Sequence, residues 1–319
     1  MKTSSGKFLK IVALAGGVGG AKLAYGLLHS SISNELTVIV NTGDDLQFCG
    51  LYVSPDLDTM VYNLAGLSNP GKGWGRINDT FFALNVCGQL GGPEWFKIGD
   101  KDLGMHLERT RQLILGKTLS DITSSFCKQL GIKASILPMT NDKVSTIIET
   151  SQHEMLPFQE YFVHRNCEPK ISTIHFQGIE KAAIVPEALE AINDSDLIII
   201  CPSNPWVSID PILNLKGMRS ALYGKYVLAV SPIIQGKTIK GPAAKMFNEM
   251  GIIPTATAVT LHYQGLIKSF ILDLKDKKEI TTIEKLGIKC FAANTIMNTD
   301  SQKIFLAEKI INFANKNFS

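Results

Sequence analysis

The chain has 319 residues, 45% of them hydrophobic and 19% charged, which suits one large or two modest globular domains and excludes a disordered chain. A net charge of +3 is too small to argue for nucleic-acid binding, and no apolar run approaches the length of a membrane span. The six cysteines include no CxxC pair, which disfavours a zinc site and a disulfide scaffold and predicts mostly buried free thiols in a reducing compartment. The basic start, residues 1–7, leads into an apolar run too short for a signal peptide, so the expected location is cytoplasmic.

Residues 11–15 read as a strand that stops at glycines 16, 17, 19 and 20, and a helical pattern follows. Such a turn lets a ligand approach the backbone, and the helix start favours an anion. Lys22 adds a mobile positive charge. The dinucleotide fingerprint is matched only in part, because Lys22 stands where its third glycine belongs, and no Ser or Thr follows the lysine as a Walker A loop requires. A phosphate cradle and a plain glycine-rich turn both fit.

Residues 36–40 read as a second strand, ending at Asn41-Thr42-Gly43-Asp44-Asp45. Ser54-Pro55-Asp56-Leu57-Asp58-Thr59 leads into a helix over 60–66, and 69–76 is a glycine-rich loop carrying Trp74. Helices are predicted over 78–90, 102–115 and 118–130; the second has Leu103, His106, Leu107, Thr110 and Leu113/Ile114 on one side. Strands return at 134–137, 145–149, 161–164, 171–176 and 182–184. A helix from 186, strands at 196–201 and 226–230, a helix over 242–250, a strand at 270–274 and a helix over 304–313 complete the order. Alternating strands and helices imply an α/β, Rossmann-like fold whose mainly parallel sheet is covered on both faces. We expect residues 1–75 and 134–319 to form the nucleotide-binding core, with 76–133 a helical insertion.

Asp44, Asp45, Asp56 and Asp58 lie within fifteen residues and could converge beside the glycine turn around magnesium, which takes one or two carboxylates plus phosphate oxygens. They could equally be turn and N-cap aspartates. Cys201-Pro202-Ser203-Asn204-Pro205 and Ser231-Pro232 each follow a buried strand, so Ser203 and Asn204 could bond a nucleotide or merely make turns. Trp74 could stack on a ligand or pack between units. The histidines show no metal-binding spacing, and there is no Gly-x-Ser-x-Gly elbow.

Taken together, Gly16-Gly17-Val18-Gly19-Gly20-Ala21-Lys22-Leu23, the two aspartate segments, Trp74-Gly75-Arg76-Ile77-Asn78-Asp79-Thr80-Phe81, Ile98-Gly99-Asp100-Lys101-Asp102, Pro202-Ser203-Asn204-Pro205, Ser231-Pro232-Ile233-Ile234 and Gly241-Pro242-Ala243-Ala244-Lys245 resemble the 2-phospho-L-lactate transferase family of coenzyme F420 biosynthesis. The resemblance runs along nearly the whole chain. It implies a magnesium-dependent homodimer that moves a phospho-three-carbon-acid unit from a guanosine diphosphate-linked donor to the deazaflavin Fo, releasing GMP. By that resemblance Gly16, Gly17, Gly19, Gly20 and Lys22 hold the diphosphate, while Ser203, Asn204, Ser231 and Pro232 hold the nucleotide. Asp45, Asp56 and Asp58 hold the metal, with Asp45 preferred over Asp44, and Asp45 and Asp58 are catalytic. Asp58 and Lys101 contact Fo. Lysine replaces an arginine common at that last position, a point charge instead of a planar fork. The related gluconeogenesis factors, which bind uridine diphosphate sugars, share the glycine-rich start but usually lack the Ser-Pro-Asp-Leu-Asp-Thr and Gly-Trp-Gly segments. A nicotinamide-dependent oxidoreductase is disfavoured by Lys22.

Overall fold

The computed structural model describes residues 9–32 and 34–317; the basic start at residues 1–7 lies outside the described residues. β1 (Leu9–Ala15), α1 (Gly17–Leu28) and β2 (Asn34–Val40) open the fold. A hairpin, β3 (Leu46–Phe48) and β4 (Leu51–Val53), precedes α2 (Pro55–Leu64). Three helices follow without an intervening strand: α3 (Phe82–Gln89), α4 (Asp100–Ile114) and α5 (Leu119–Gln129). β5 (Ser135–Pro138) comes next, then β6 (Ser145–Thr150), β7 (Met155–Pro157) and β8 (Ile171–Gln177). α6 (Pro186–Asp194), β9 (Leu197–Ile200), α7 (Asp210–Leu213), α8 (Met218–Leu222) and β10 (Val227–Val230) continue the chain. A small hairpin, β11 (Ile233–Ile234) and β12 (Lys237–Thr238), leads to α9 (Ala243–Glu249) and α10 (Ala256–His262). β13 (Ser269–Asp273), α11 (Ile280–Glu284), β14 (Lys289–Ala293) and α12 (Asp300–Asn315) close it.

The seven-stranded sheet runs β14-β13-β10-β9-β1-β2-β5, and every pairing in it is parallel. Both faces are buried, as strand alternation shows: Ile11, Ala13 and Ala15 enter one apolar cluster, Val12 and Leu14 the other. The strand order reverses between β1 and β9. An open parallel sheet splays its carboxyl-end loops apart at such a point and leaves a crevice there.

Several sequence expectations change. Residues 161–164 are not a strand but part of a π-helical turn, Glu160–His164, whose Tyr161 is fully buried. Residues 182–184 contribute only an isolated bridge between Thr140 and Ile184. Strands β6, β7 and β8 form their own antiparallel sheet. α4 buries Asp102, His106, Arg109 and Gln112, while Leu107 and Ile114 are exposed, so its inner face is polar. The reason lies opposite, where α4 meets the buried acidic start of α2. Cys127 and Cys201 are buried, but Cys49 is exposed and Cys87, Cys167 and Cys290 are partly so.

Candidate active site

β1 hands directly to α1 through Gly16, whose backbone is extended, and Gly17, whose φ of 63° lies in the left-handed region that favours glycine. Next door, β9 hands to Pro202-Ser203-Asn204. A Cβ on Gly19 would sit 2.3 Å from the Pro202 carbonyl oxygen, so only glycine lets the two turns touch. Ser203 Oγ donates to the Gly16 carbonyl at 2.7 Å and accepts from the Gly16 N–H at 3.2 Å.

These turns form one side of a cavity of about 600 Å3. It brings together Gly16, Gly17, Gly19, Lys22, Asp56, Asp58, Ser203, Asn204, Ser231 and Pro232, ten of the residues singled out from the sequence. Trp74, Phe96, Phe158 and Phe162 give it aromatic wall. Gly20 lies beneath, where a Cβ would meet Ser203 Oγ at 2.8 Å.

Two expected members stand elsewhere. Lys101 is exposed and its Nζ donates to the Ile77 carbonyl at 3.3 Å; the neighbouring Asp102 lines the cavity instead. Asp45 sits behind the wall, its Oδ2 accepting from Tyr52 Oη at 2.9 Å and Ser54 Oγ at 2.7 Å, and the cavity-facing member of the pair is Asp44. Two hydroxyls decide this: Tyr52 and Ser54, the residue before Pro55, both donate to Asp45 and hold it away from the cavity.

The acidic side is electrostatically tense. Burial, then the nearby Asp56 and Asp45, holds the Asp44 carboxyl well above the usual range, and its Oδ1 has no hydrogen-bond partner among the described residues. Burial raises Asp56 to about 6, although Asn41 Nδ2 and the Gly17 N–H donate to it at 3.0 and 2.8 Å. Burial likewise raises Asp45 to about 8. Asp56 therefore holds the glycine turn in place and shares the cavity with Asp44.

Asp58 is supported from behind by α4 residues to which the sequence motifs assign no role. Arg109 of α4 donates to both Asp58 oxygens, through Nη2 to Oδ1 and through Nη1 to Oδ2, and Nη1 also reaches the Tyr52 carbonyl. His106 lies between two cavity carboxylates, its Nδ1 3.6 Å from Asp58 Oδ2 and its Nε2 3.5 Å from Asp102 Oδ1. Tyr62 Oη donates to Asp102 Oδ1 at 2.5 Å. A signal was present in the sequence: Asp102, His106 and Arg109 repeat at helical spacing, a polar stripe inside a helix.

An orphaned buried carboxylate oxygen beside another desolvated carboxylate is a conflict that a cation resolves. Asp44 and Asp56 fit magnesium on those terms, provided phosphate oxygens and water complete its shell. Among the described residues no group of three or more His, Cys, Asp or Glu side chains could hold an ion unaided.

The family model for CofD, 2-phospho-L-lactate transferase, matches residues 11–308. A 2-phospho-L-lactate transferase of Methanosarcina mazei is 38% identical over 301 residues, 94% of this chain and 99% of the relative. A phosphoenolpyruvate transferase of Streptomyces coelicolor is also 38% identical, over 296 residues, 91% of this chain and 93% of the relative. Among solved structures, protein BH3568 from Bacillus halodurans shares the fold, with a TM-score of 0.64 over 96% of this chain and 100% of that one at 18% identity. By the family match and the relatives alike, the chain belongs to the CofD family of 2-phospho-L-lactate transferases and is a transferase.

Proposed function

We propose that this enzyme acts in coenzyme F420 biosynthesis, transferring a phospho-three-carbon-acid unit from a guanosine diphosphate-linked donor to the terminal ribityl hydroxyl of the deazaflavin Fo, with GMP as the second product. The observation that carries the reading is one cavity that combines a helix start and lysine suited to a diphosphate with carboxylates suited to a metal and an attacking hydroxyl. Two relatives of equal identity bear the names 2-phospho-L-lactate transferase and phosphoenolpyruvate transferase, so the acid carried is phospholactate or phosphoenolpyruvate in type.

In this mechanism the first turn of α1 and Lys22 bind the diphosphate, because N–H groups at a helix start lack intrahelical acceptors. Asp56 keeps the Gly17 N–H, so the anion meets the turn beyond it, at Val18 and Gly19. Ser203, Asn204 and Ser231-Pro232 hold the nucleoside. Asp44 and Asp56 would hold magnesium, which would supply positive charge to offset that developing on the phosphoryl oxygens. Asp58, fixed by Arg109, orients the acceptor hydroxyl and takes its proton. Positioning and charge neutralisation carry most of the rate, as phosphoryl transfer generally requires. A homodimer in the cytoplasm belongs to the same proposal; a solution mass near twice that of the chain checks the first part. Among the described residues no helix is long and apolar enough to cross a membrane.

The test is direct. The protein is mixed with Fo, magnesium and the guanosine diphosphate-linked acid, and products are read by mass. GMP together with Fo heavier by the phospho-acid unit is the expected result. Binding of a uridine diphosphate sugar with no GMP formed overturns the reading.

A further inference from the structure

The loop 239–242 after β12 brings another lysine, Lys240, to the glycine-turn side of the cavity, one that neither the turn after β1 nor the acidic side accounts for. Lys240 lines the cavity, and its Nζ donates to the Lys72 carbonyl at 2.5 Å across to loop 69–76. The two loops meet closely. A Cβ on Gly73, whose φ is 77°, would lie 2.9 Å from both Lys240 Nζ and a Val18 methyl. Since Val18 belongs to the first turn of α1, the Lys240 ammonium stands beside the anion-favouring helix start. Lys22 stands near it: burial, then the charges of Lys240 and Lys303, lower its pKa from the ordinary value. Neither Lys22 nor Lys240 pairs with a carboxylate among the described residues. Two ammonium groups that repel each other at a helix start, with no carboxylate within salt-bridge distance, suit an anion from outside.

We propose that Lys240 is a second diphosphate-binding lysine acting with Lys22, and that its bond to the Lys72 carbonyl straps loop 69–76, with Trp74, over the bound donor. An ammonium has three N–H donors, so it can hold the carbonyl and the anion together. The proposal rests on the nucleotide-binding reading above and adds to it a residue and a contact that holds one loop against another.

Calorimetric titration of the full chain with GDP and magnesium tests it, using Lys240→Met, Lys240→Arg and, as a remote control for net charge, Lys285→Met on the exposed end of α11. Loss of a charge-assisted contact should weaken GDP binding about 10- to 100-fold in Lys240→Met. Lys240→Arg, which keeps the charge, should stay within roughly 3-fold, and the control should stay within roughly 2-fold. Hydrogen exchange of residues 69–76 should slow on adding GDP to the unmodified protein and not to Lys240→Met. Binding by Lys240→Met within about 2-fold of the unmodified protein, or an equal loss in the control, overturns the proposal. If the unmodified protein binds UDP but not GDP, the guanosine reading fails and the lysine comparison is made on UDP. If it binds neither, both fall.

Discussion

Asp58 works in the company of Arg109. A buried carboxylate needs a partner, and here the guanidinium engages both oxygens from the α4 side while the cavity lies on the other. The two residues should therefore fail differently when changed. Asp58→Asn keeps the shape and removes the proposed proton acceptor; transfer should fall by about 100-fold or more, typical of losing a general base, with GDP binding retained. Near-normal turnover would remove Asp58 from the catalytic role. Arg109→Met strands a buried charge, and chemical denaturation should show a loss of about 3–5 kcal/mol. Asp58 was legible in the sequence because its segment is short and acidic. Arg109 was not, because its partner lies 51 positions away and only folding makes them neighbours. Asp44 and Asp45 are adjacent in sequence, and which one faces the cavity is decided by the Tyr52 and Ser54 hydroxyls, a tertiary matter.

At the scale of elements, the turn after β1 and the start of α2 are built as one piece. Asp56, in the first turn of α2, accepts the Gly17 N–H that begins α1. Gly19→Ala tests how tight this construction is. Its methyl would press on the Pro202 carbonyl, backbone that cannot rotate away, so stability should drop by about 1–3 kcal/mol and donor affinity should fall with it. Thermal melts with and without GDP measure both.

The carboxylates at these element ends also set a pH dependence. Asp45 is raised to about 8 and Asp56 to about 6, so the native state holds protons that the unfolded chain releases near 4. Where the native state binds more protons, stability falls as pH rises. The ligand-free protein should thus melt at a lower temperature at pH 8 than at pH 6, and Asp45→Asn should flatten that slope. A midpoint that climbs toward pH 8 would contradict the burial of these groups. Element types were readable wherever pattern and period agreed, as in β1, β2, β9 and β10. α4 is a helix as expected, but its inward face is polar and Leu107 and Ile114 face outward; the turn at Glu160–His164 misleads because three consecutive residues, Tyr161, Phe162 and Val163, imitate a strand.

Across the whole molecule, the cavity draws on three units. The parallel sheet gives its switch-point turns; the helices between β4 and β5 give Asp102, and the segment before α4 gives Phe96 and Lys97. The chain beside the antiparallel sheet gives Phe158 and Phe162. The doubly wound sheet was legible from alternation alone, since buried parallel strands need little besides apolar β-branched runs. The antiparallel sheet was not recognised, because β7 is three residues long and carries no alternation to read.

The reciprocal bond between Gly16 and Ser203 ties together two bends that are 187 positions apart in the chain. Their substitution effects should be epistatic. A methyl on Gly16 would lie 2.6 Å from Asp56 Oδ2 and 2.7 Å from Ser208 Cβ and so shift the backbone that Ser203 holds; a Gly16→Ala, Ser203→Ala double-mutant cycle should therefore show a coupling energy of roughly 0.5–3 kcal/mol, whereas pairing Gly16→Ala with a distant surface change should be additive. Inheritance at this spot then works by pairs: a lineage that alters one bend constrains which alterations the other will tolerate.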